Sequence, residues 1–191
     1  MIKIININNF KFIETSYNFK NLTTIILDDY FNKYILDNEL PKTITHLTFG
    51  KNFDQKVTKL PNSITHLTFG SYFNRGINNL PNSLTYLTLG NDFDQEVNYL
   101  PNSLTHLTFV YNFNRTINNL PNLITNLTFG GNFNQEVNNL PESLIHLKFK
   151  YRFCQKVDIL TKSLKHLTFG HYFDQTIDRL PNLLIHFNPW L

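Results

Sequence analysis

The chain has 191 residues, of which 41% are hydrophobic and 16% are charged, and its formal net charge is +3 at pH 7. This length supports one domain with a substantial core, and the mildly basic balance lacks the dense Lys/Arg patch that nucleic-acid binding requires. The single cysteine, Cys154, excludes an internal disulfide, and no segment approaches the ~18 consecutive apolar residues of a membrane helix.

The first twenty residues do not show the pattern that fills the rest of the chain. Their opening segment, MIKIININNFKF, is interrupted by Asn too often for the core of a signal peptide. We predict that residues 1–20 form an N-terminal cap. Residues 21–35 are a weak first copy of the later pattern. That copy carries two extra residues near positions 37–38, because Phe31 precedes Phe53 by twenty-two residues.

From residue 40 onward the sequence repeats itself every twenty residues. Each repeat opens on Leu-Pro, with prolines at 41, 61, 81, 101, 121, 141 and 181 and Thr161 in the remaining position. A fixed period of this size is typical of a solenoid, in which each coil buries its apolar face against its neighbours. We therefore predict about eight coils over residues 21–180.

One coil, residues 60–79, shows how the repeat folds. Segment 64–69 has the L-x-x-L-x-L spacing of a leucine-rich-repeat strand. Side chains alternate along a strand, so Leu67 points inward while His66 and Thr68 point outward. Apolar residues return one period later at each inward position. The six apolar positions of the coil are Leu60, Ile64, Leu67, Phe69, Phe73 and Ile77.

The second half of each coil contains breakers of regular structure, such as Gly76 and the Leu80-Pro81 pair. A proline restricts its own backbone and that of the residue before it, so little helix fits in this half. We predict a mainly β, leucine-rich-repeat-like solenoid of about twenty-residue coils, with one parallel sheet on the concave face and an irregular convex side with little helix.

The C-terminal segment, residues 181–191, begins another repeat and stops short. We predict a truncated last strand followed by a C-terminal cap. Pro189 cannot donate a ladder hydrogen bond and would discourage further strand pairing, while Trp190 would cover the last core layer.

Successive coils alternate within the period. Segment 94–97 reads Asp-Gln-Glu-Val, whereas segments 74–77 and 114–117 read Asn-Arg-x-Ile. We interpret this alternation as the duplication of a forty-residue pair of coils.

The phrases LTFGSYFNRGI, LTLGNDFDQEV and LTFGGNFNQEV, each followed by a Leu-Pro pair, resemble the FNIP repeat family. This is a leucine-rich-repeat-like module common in social amoebae and in the giant viruses that infect amoebae. The resemblance covers roughly residues 21–187 and implies protein–protein interaction without naming a partner. Many members carry an F-box before the repeats and are taken to be ubiquitin-ligase adaptors. Residues 1–20 show no F-box-like helical pattern.

An Asn or Asp residue follows the second Phe of nearly every coil and so forms a column. We expect these side chains to bond backbone groups in the bend. Calcium binding by the same column is disfavoured because neutral Asn alternates with Asp. Cys154 occupies this column as a small substitute, since it lacks a partner base. The column is Asn32, Asp54, Asn74, Asp94, Asn114, Asn134 and Asp174.

Histidine recurs in the outward strand position, and threonine flanks it. Parallel strands lie ~4.8 Å apart, so neighbouring rings should stack. Zinc is disfavoured because collinear rings do not enclose a tetrahedral site. We predict a polar, aromatic-interrupted binding face on the concave side. Its members are His46, Thr48, His66, Thr68, Tyr86, Thr88, His106, Thr108, Asn126, Thr128, His146, Lys148, His166, Thr168 and His186.

The stacked histidines predict a pH dependence. Like charges one strand apart repel, so the ring pKa values should fall below the free value of ~6.5. Such lowered values make the folded protein less stable as the pH falls. We expect His146, His166 and His186 to contribute most, and His106, between Tyr86 and Asn126, to titrate almost normally.

The interpretation we favour is a non-catalytic protein–protein interaction scaffold that uses the concave strand face. It has no catalytic, cofactor-binding or metal-binding residue. An adaptor that recruits a host protein to ubiquitin ligase machinery through a separate partner is the alternative. A β-solenoid enzyme or an ice- or mineral-binding surface is more remote, because the outward positions are His and Thr with almost no carboxylates. We expect a monomer with a protein partner, no nucleic-acid or membrane partner, and a cytoplasmic location, in the host cytoplasm if the source is viral.

Overall fold

The computed structural model describes residues 2–5 (as a backbone strand), 21–157, 159–177 and 180–188. Most of the predicted N-terminal cap lies outside these residues. The same is true of Pro189 and Trp190 in the predicted C-terminal cap.

The described residues form ten short strands, all parallel and joined in chain order in one sheet. They contain no α-helix, and so no helix that is long and apolar enough to cross a bilayer. The predicted leucine-rich-repeat-like solenoid is therefore confirmed. The strands are β1 (Ile2–Ile5), β2 (Thr24–Leu27), β3 (His46–Thr48), β4 (His66–Thr68), β5 (Tyr86–Leu89), β6 (His106–Phe109), β7 (Asn126–Phe129), β8 (His146–Phe149), β9 (His166–Thr168) and β10 (His186–Asn188).

The strand register follows the repeat. From β3 to β10 each residue pairs with the residue twenty positions away, as Leu47 does with Leu67. Between β2 and β3 the offset is twenty-two, as in the pairing of Ile25 with Leu47. The extra residues fit at a turn over 37–38, where Asn38 has a φ of 63°, the one positive value among the described non-glycine residues. Strand β1, inside the predicted cap, was not foreseen from the sequence.

The core lies behind the sheet and consists of stacked apolar columns. We use "column" for the residues that occupy one position in successive coils. The two phenylalanine columns interleave: the Phe49 and Phe53 rings lie 3.9 Å apart within a coil, and the Phe53 and Phe73 rings lie 6.0 Å apart between coils. Both columns are fully buried in the central coils. Each such side chain contributes ~1.5–3 kcal/mol of transfer free energy.

A glycine column follows the strands, and close backbone approach is the reason for it. None of the described glycines has a positive φ. A Cβ on Gly90 would lie 1.8 Å from the carbonyl oxygen of Gly70, which leaves no room for a side chain. Val110 and Lys150 interrupt the glycine column, and at both positions the backbone hydrogen bonding between neighbouring strands continues for one more bond. There the N–H of Val110 donates to the Leu89 carbonyl at 3.0 Å, and that of Lys150 to the Phe129 carbonyl at 3.1 Å.

The Asn/Asp column binds backbone groups in the bend, as predicted, and it does so between coils. The Oδ1 of Asn32 accepts from the N–H of Asp54 at 2.9 Å, and the Oδ1 of Asp54 accepts from the N–H of Asn74 at 2.9 Å. The series continues as far as Cys154, whose N–H donates to Asn134 at 3.0 Å. Each of these bends therefore supplies a solvent-exposed hydrogen bond to the next coil.

Candidate functional site: the strand face

The side of the sheet that faces away from the core, here called the strand face, begins in each coil with a carbonyl that accepts two hydrogen bonds. The N–H groups of Thr65 and His66 both donate to the carbonyl of Thr45, at 2.9 and 3.0 Å. Two successive residues, Thr45 and His46, therefore lie between the buried residues Ile44 and Leu47 without entering the core. The face thus gains a threonine column that simple alternation missed, namely Thr45, Thr65, Thr85, Thr105 and Thr125. The sequence signal was two polar residues between two core positions.

The predicted ring column forms two stacks. The ring centroids of His46 and His66 lie 4.1 Å apart, those of His66 and Tyr86 4.2 Å, and those of Tyr86 and His106 4.0 Å. Asn126 ends this stack of four rings.

The second stack is shorter than the sequence predicted. The His146 and His166 rings lie 4.2 Å apart and nearly parallel. His186 stands 6.2 Å from His166 with its ring tilted by 34°. It lies on the last strand, which has a neighbour on one side only, and it does not continue the stack.

Threonine hydroxyls hold the rings in place. The Oγ1 of Thr65 donates to the carbonyl of Thr45 at 3.2 Å and also lies 2.9 Å from Nδ1 of His66. A hydroxyl has one proton, so when it donates to the carbonyl it accepts from a protonated Nδ1. That arrangement leaves the Nε2 of the ring as an acceptor. Asn126 fits the same frame, since Thr125 donates to its Oδ1 at 2.9 Å.

Burial on the strand face changes the protonation of three rings. It lowers the pKa of His66, and the neighbouring His46 and His106 add repulsion. Burial likewise lowers the pKa of His146, and repulsion from His166, His106 and Lys165 lowers it further. The sequence predicted that repulsion between the rings would lower these two pKa values. That prediction is wrong about the main cause, because desolvation by burial contributes most. The near-normal titration predicted for His106 is also wrong, because burial lowers its pKa.

A family model described as FNIP Repeat matches the chain at residues 20–52, 31–70, 53–92, 76–112 and 111–152. These matches run without a break from residue 20 to residue 152, which is more than half of the 191 residues. The chain belongs to the FNIP repeat family. The resemblance that the sequence phrases indicate is therefore confirmed.

One solved structure extends the comparison to the fold. It is described as the crystal structure of CroV588, a novel circular LRR protein structure, and comes from a giant virus. It is 44% identical to the FNIP-repeat chain, with a TM-score of 0.73 over 87% of this chain. The match covers 30% of that protein, so this chain spans less than a third of its length. A comparison with curated proteins found no match.

The remaining predicted face residues of the FNIP-repeat chain form the second outward column of the strands. Thr48, Thr68, Thr88, Thr108 and Thr128 pair in register, and Lys148 lies between Thr128 and Thr168. All the predicted face residues therefore lie on one face, in neighbouring columns.

Charged side chains are confined to one end of this face. In strands β3 to β7 the Thr45, His46 and Thr48 columns hold Thr, His, Tyr and Asn alone, so these positions carry no formal charge with histidine neutral. Lysines enter these columns at positions 148 and 165. The described residues contain no group of three or more His, Cys, Asp or Glu side chains that could hold a metal.

Proposed function

We propose that this FNIP-repeat chain is a non-catalytic scaffold that binds a partner protein across its strand face. The observation that carries the proposal is the stack of four rings from His46 to His106, in which the Nδ1 atoms of the three histidines are hydrogen-bonded to adjacent threonines. Side chains that are already held in place lose little conformational entropy on binding, so such a face is pre-organised for a partner. Tyr86 at its centre is 40% exposed, and tyrosine is common at interface hot spots.

The chemistry of the face supports binding over catalysis. A catalytic histidine is commonly paired with a nucleophile on one side and with a carboxylate that orients the ring on the other. The described face columns offer histidines in a row and no carboxylate beside them. Cys154, the single thiol, lies in the bend, where its Sγ is 2.9 Å from Oδ1 of Asp174.

A matched pair of tyrosine substitutions tests the proposal. Tyr86 lies on the strand face and Tyr99 on the return half of a coil, where it is 69% exposed. Asn occupies the same columns elsewhere, at Asn126 and Asn119, so Tyr86→Asn and Tyr99→Asn should both fold. Native and variant chains are coupled to beads, and proteins captured from an amoebal lysate are quantified by mass spectrometry.

The expected result is a protein that the native chain and Tyr99→Asn capture equally and that Tyr86→Asn captures several-fold less. Equal capture by all three chains, or equal loss in both variants with unchanged melting temperatures, would contradict binding through this face.

A further inference from the structure

We propose that the cationic end of the strand face, formed by Lys148, Lys150, Arg152 and Lys165, binds an acidic segment of the partner protein. This inference rests on the proposed scaffold function and adds the chemistry of the partner.

Each of the four cations departs from its column. Lys148 stands in a column that holds Thr at 48, 68, 88, 108, 128 and 168, and Lys165 stands where strands β3 to β7 are preceded by Thr. Lys150 replaces the common glycine, and Arg152 stands in a column that holds Asn at 52, 112 and 132, Tyr at 72 and 172, and Asp at 92. The fold does not need a cation at any of these positions, because the other described coils have none there.

The four side chains belong to two adjacent coils. Lys148 is in β8, Lys150 and Arg152 follow that strand, and Lys165 immediately precedes β9. The N–H of Lys165 donates to the carbonyl of Ile145 at 2.9 Å, which places it beside His146. The charge of Lys165 is among the causes that lower the pKa of His146, so the ammonium acts at this end of the face. Lys165 and Arg152 are exposed, and Lys148 and Lys150 are half-buried.

Nothing in the described residues neutralises these charges. Two arginines of the return segments are paired, with Arg75 bound to Asp54 at 2.7 Å and Arg115 to Asp94 at 2.9 Å. No described carboxylate forms an ion pair with any of the four cations at the end of the strand face. The described acids of the two coils, Glu142 and Asp174, lie in turns. The Asp174 carboxylate already accepts hydrogen bonds from Cys154 and Gln175.

An acidic polypeptide fits this distribution better than a nucleic acid. Four cations lie at one end of a face whose Thr45, His46 and Thr48 columns are neutral in strands β3 to β7. They offer local charge complementarity, which sets specificity and register at protein interfaces. A nucleic acid is held by a longer stripe of phosphate contacts. The net charge of +3 does not provide the broad positive field of such proteins.

The test uses a fluorescently labelled peptide of alternating Glu and Ser, with a Gln-Ser peptide of the same length as control. Binding to the full chain is followed by fluorescence anisotropy at low ionic strength. The test variant Lys148→Thr/Lys165→Thr gives both positions the Thr that the coils of strands β3 to β7 hold there. The control variant Lys56→Thr/Lys156→Thr removes the same charge from the return segments, where the column holds Thr at 116 and 176.

We expect the Glu peptide to bind the native chain and the control variant alike. Each cation lost from the face should weaken binding roughly two- to fivefold, the range of an exposed ion pair. The test variant should therefore lose roughly four- to twenty-fivefold, and Arg152→Asn a further two- to fivefold. The Gln peptide should not bind, and salt should weaken the Glu peptide through screening.

Equal weakening in the test and control variants would overturn the proposal, as would equal binding of the Glu and Gln peptides. Tighter binding of a single-stranded oligonucleotide than of the Glu peptide, lost in the test variant, would also overturn it in favour of a nucleic acid. If any of these results occurs while Tyr86→Asn still abolishes capture of a lysate protein, the acidic-segment inference fails and the scaffold function stands.

Discussion

The Nη2 of Arg75 lies 2.7 Å from Oδ2 of Asp54 in the preceding coil. One coil further on, the Nε2 of Gln95 donates to Oδ1 of Asn74 at 2.9 Å. The same rule holds along the chain: a coil with Asp is followed by one with Arg, and a coil with Asn by one with Gln. The contacts are Asn32–Gln55, Asp54–Arg75, Asn74–Gln95, Asp94–Arg115, Asn114–Gln135 and Asn134–Gln155. The forty-residue alternation, which the sequence presents as a duplicated pair, is thus also a rule of contact between coils.

This pairing predicts non-additive substitutions. Asp54→Asn leaves Arg75 without a carboxylate, and Arg75→Gln leaves Asp54 without a cation. Each change should lower the free energy of unfolding by about 0.5–1 kcal/mol, since both side chains are partly exposed. The double variant recreates an Asn–Gln contact and should be at least as stable as either single variant. Urea unfolding of all four proteins measures the coupling, and purely additive losses would show that the pairing is incidental.

The glycine column predicts a contrast between two Gly→Ala changes. A Cβ on Gly90 would lie 1.8 Å from the Gly70 carbonyl oxygen, whereas a Cβ on Gly76 would meet nothing within 4 Å. Gly90→Ala should destabilise the chain by ~3 kcal/mol or more, because two coils must separate. Gly76→Ala should be neutral or slightly stabilising, since it reduces the freedom of the unfolded chain. Thermal unfolding compares them, and similar melting temperatures would mean that the coils adjust without cost.

The phenylalanine columns predict a dependence on position along the solenoid. The ring centroids of Phe113 and Phe109 lie 3.8 Å apart, and the Phe113 ring also stacks with the Phe93 and Phe133 rings of the two adjacent coils. Phe113→Ala should cost ~3–5 kcal/mol by leaving a cavity between coils. Phe31→Ala, in the first copy of the repeat, should cost less, because coils near the end of a repeat array can open locally while the rest stays folded. Urea unfolding of the two variants measures both losses in the free energy of unfolding. Equal losses would argue against coils that open independently near the end.

The strand face predicts a loss of stability in acid. The pKa values of His66, His106 and His146 are lowered in the folded protein, mainly by burial. The unfolded chain then binds more protons than the folded one, so the contribution of these rings is complete above the unfolded value of ~6.5 and declines as the pH falls below it. Melting temperatures between neutral and mildly acidic pH should show this decline.

The triple variant His66→Asn/His106→Asn/His146→Asn is the matched control, since Asn126 occupies the same column. Its melting temperature should depend less on pH than that of the native chain. NMR titration of the three rings reports each site directly, and a midpoint above the free value at His106 would contradict its desolvation.

The sequence by itself determined the solenoid. A twenty-residue period with six apolar positions allows one way to bury them, because coils must stack in register for each column to meet itself. The parallel pairing of Leu47 with Leu67 and the outward placement of His66 and Thr68 followed from this period and from strand alternation. The family followed from the repeated phrases, since repetition makes a short motif specific.

Tertiary structure decided what depends on backbone detail and on neighbours. The carbonyl of Thr45 accepts from the N–H groups of both Thr65 and His66, a pattern between neighbouring coils that strand alternation does not predict. Strand β1 pairs with β2 although residues 2–5 lie outside the repeat, because an open sheet edge accepts a strand without a repeat signature. His106 shows the same limit: its column predicted an isolated ring, whereas burial and the neighbouring Tyr86 set its environment. Periodicity places a side chain on a face, and the packing around that side chain then sets its protonation.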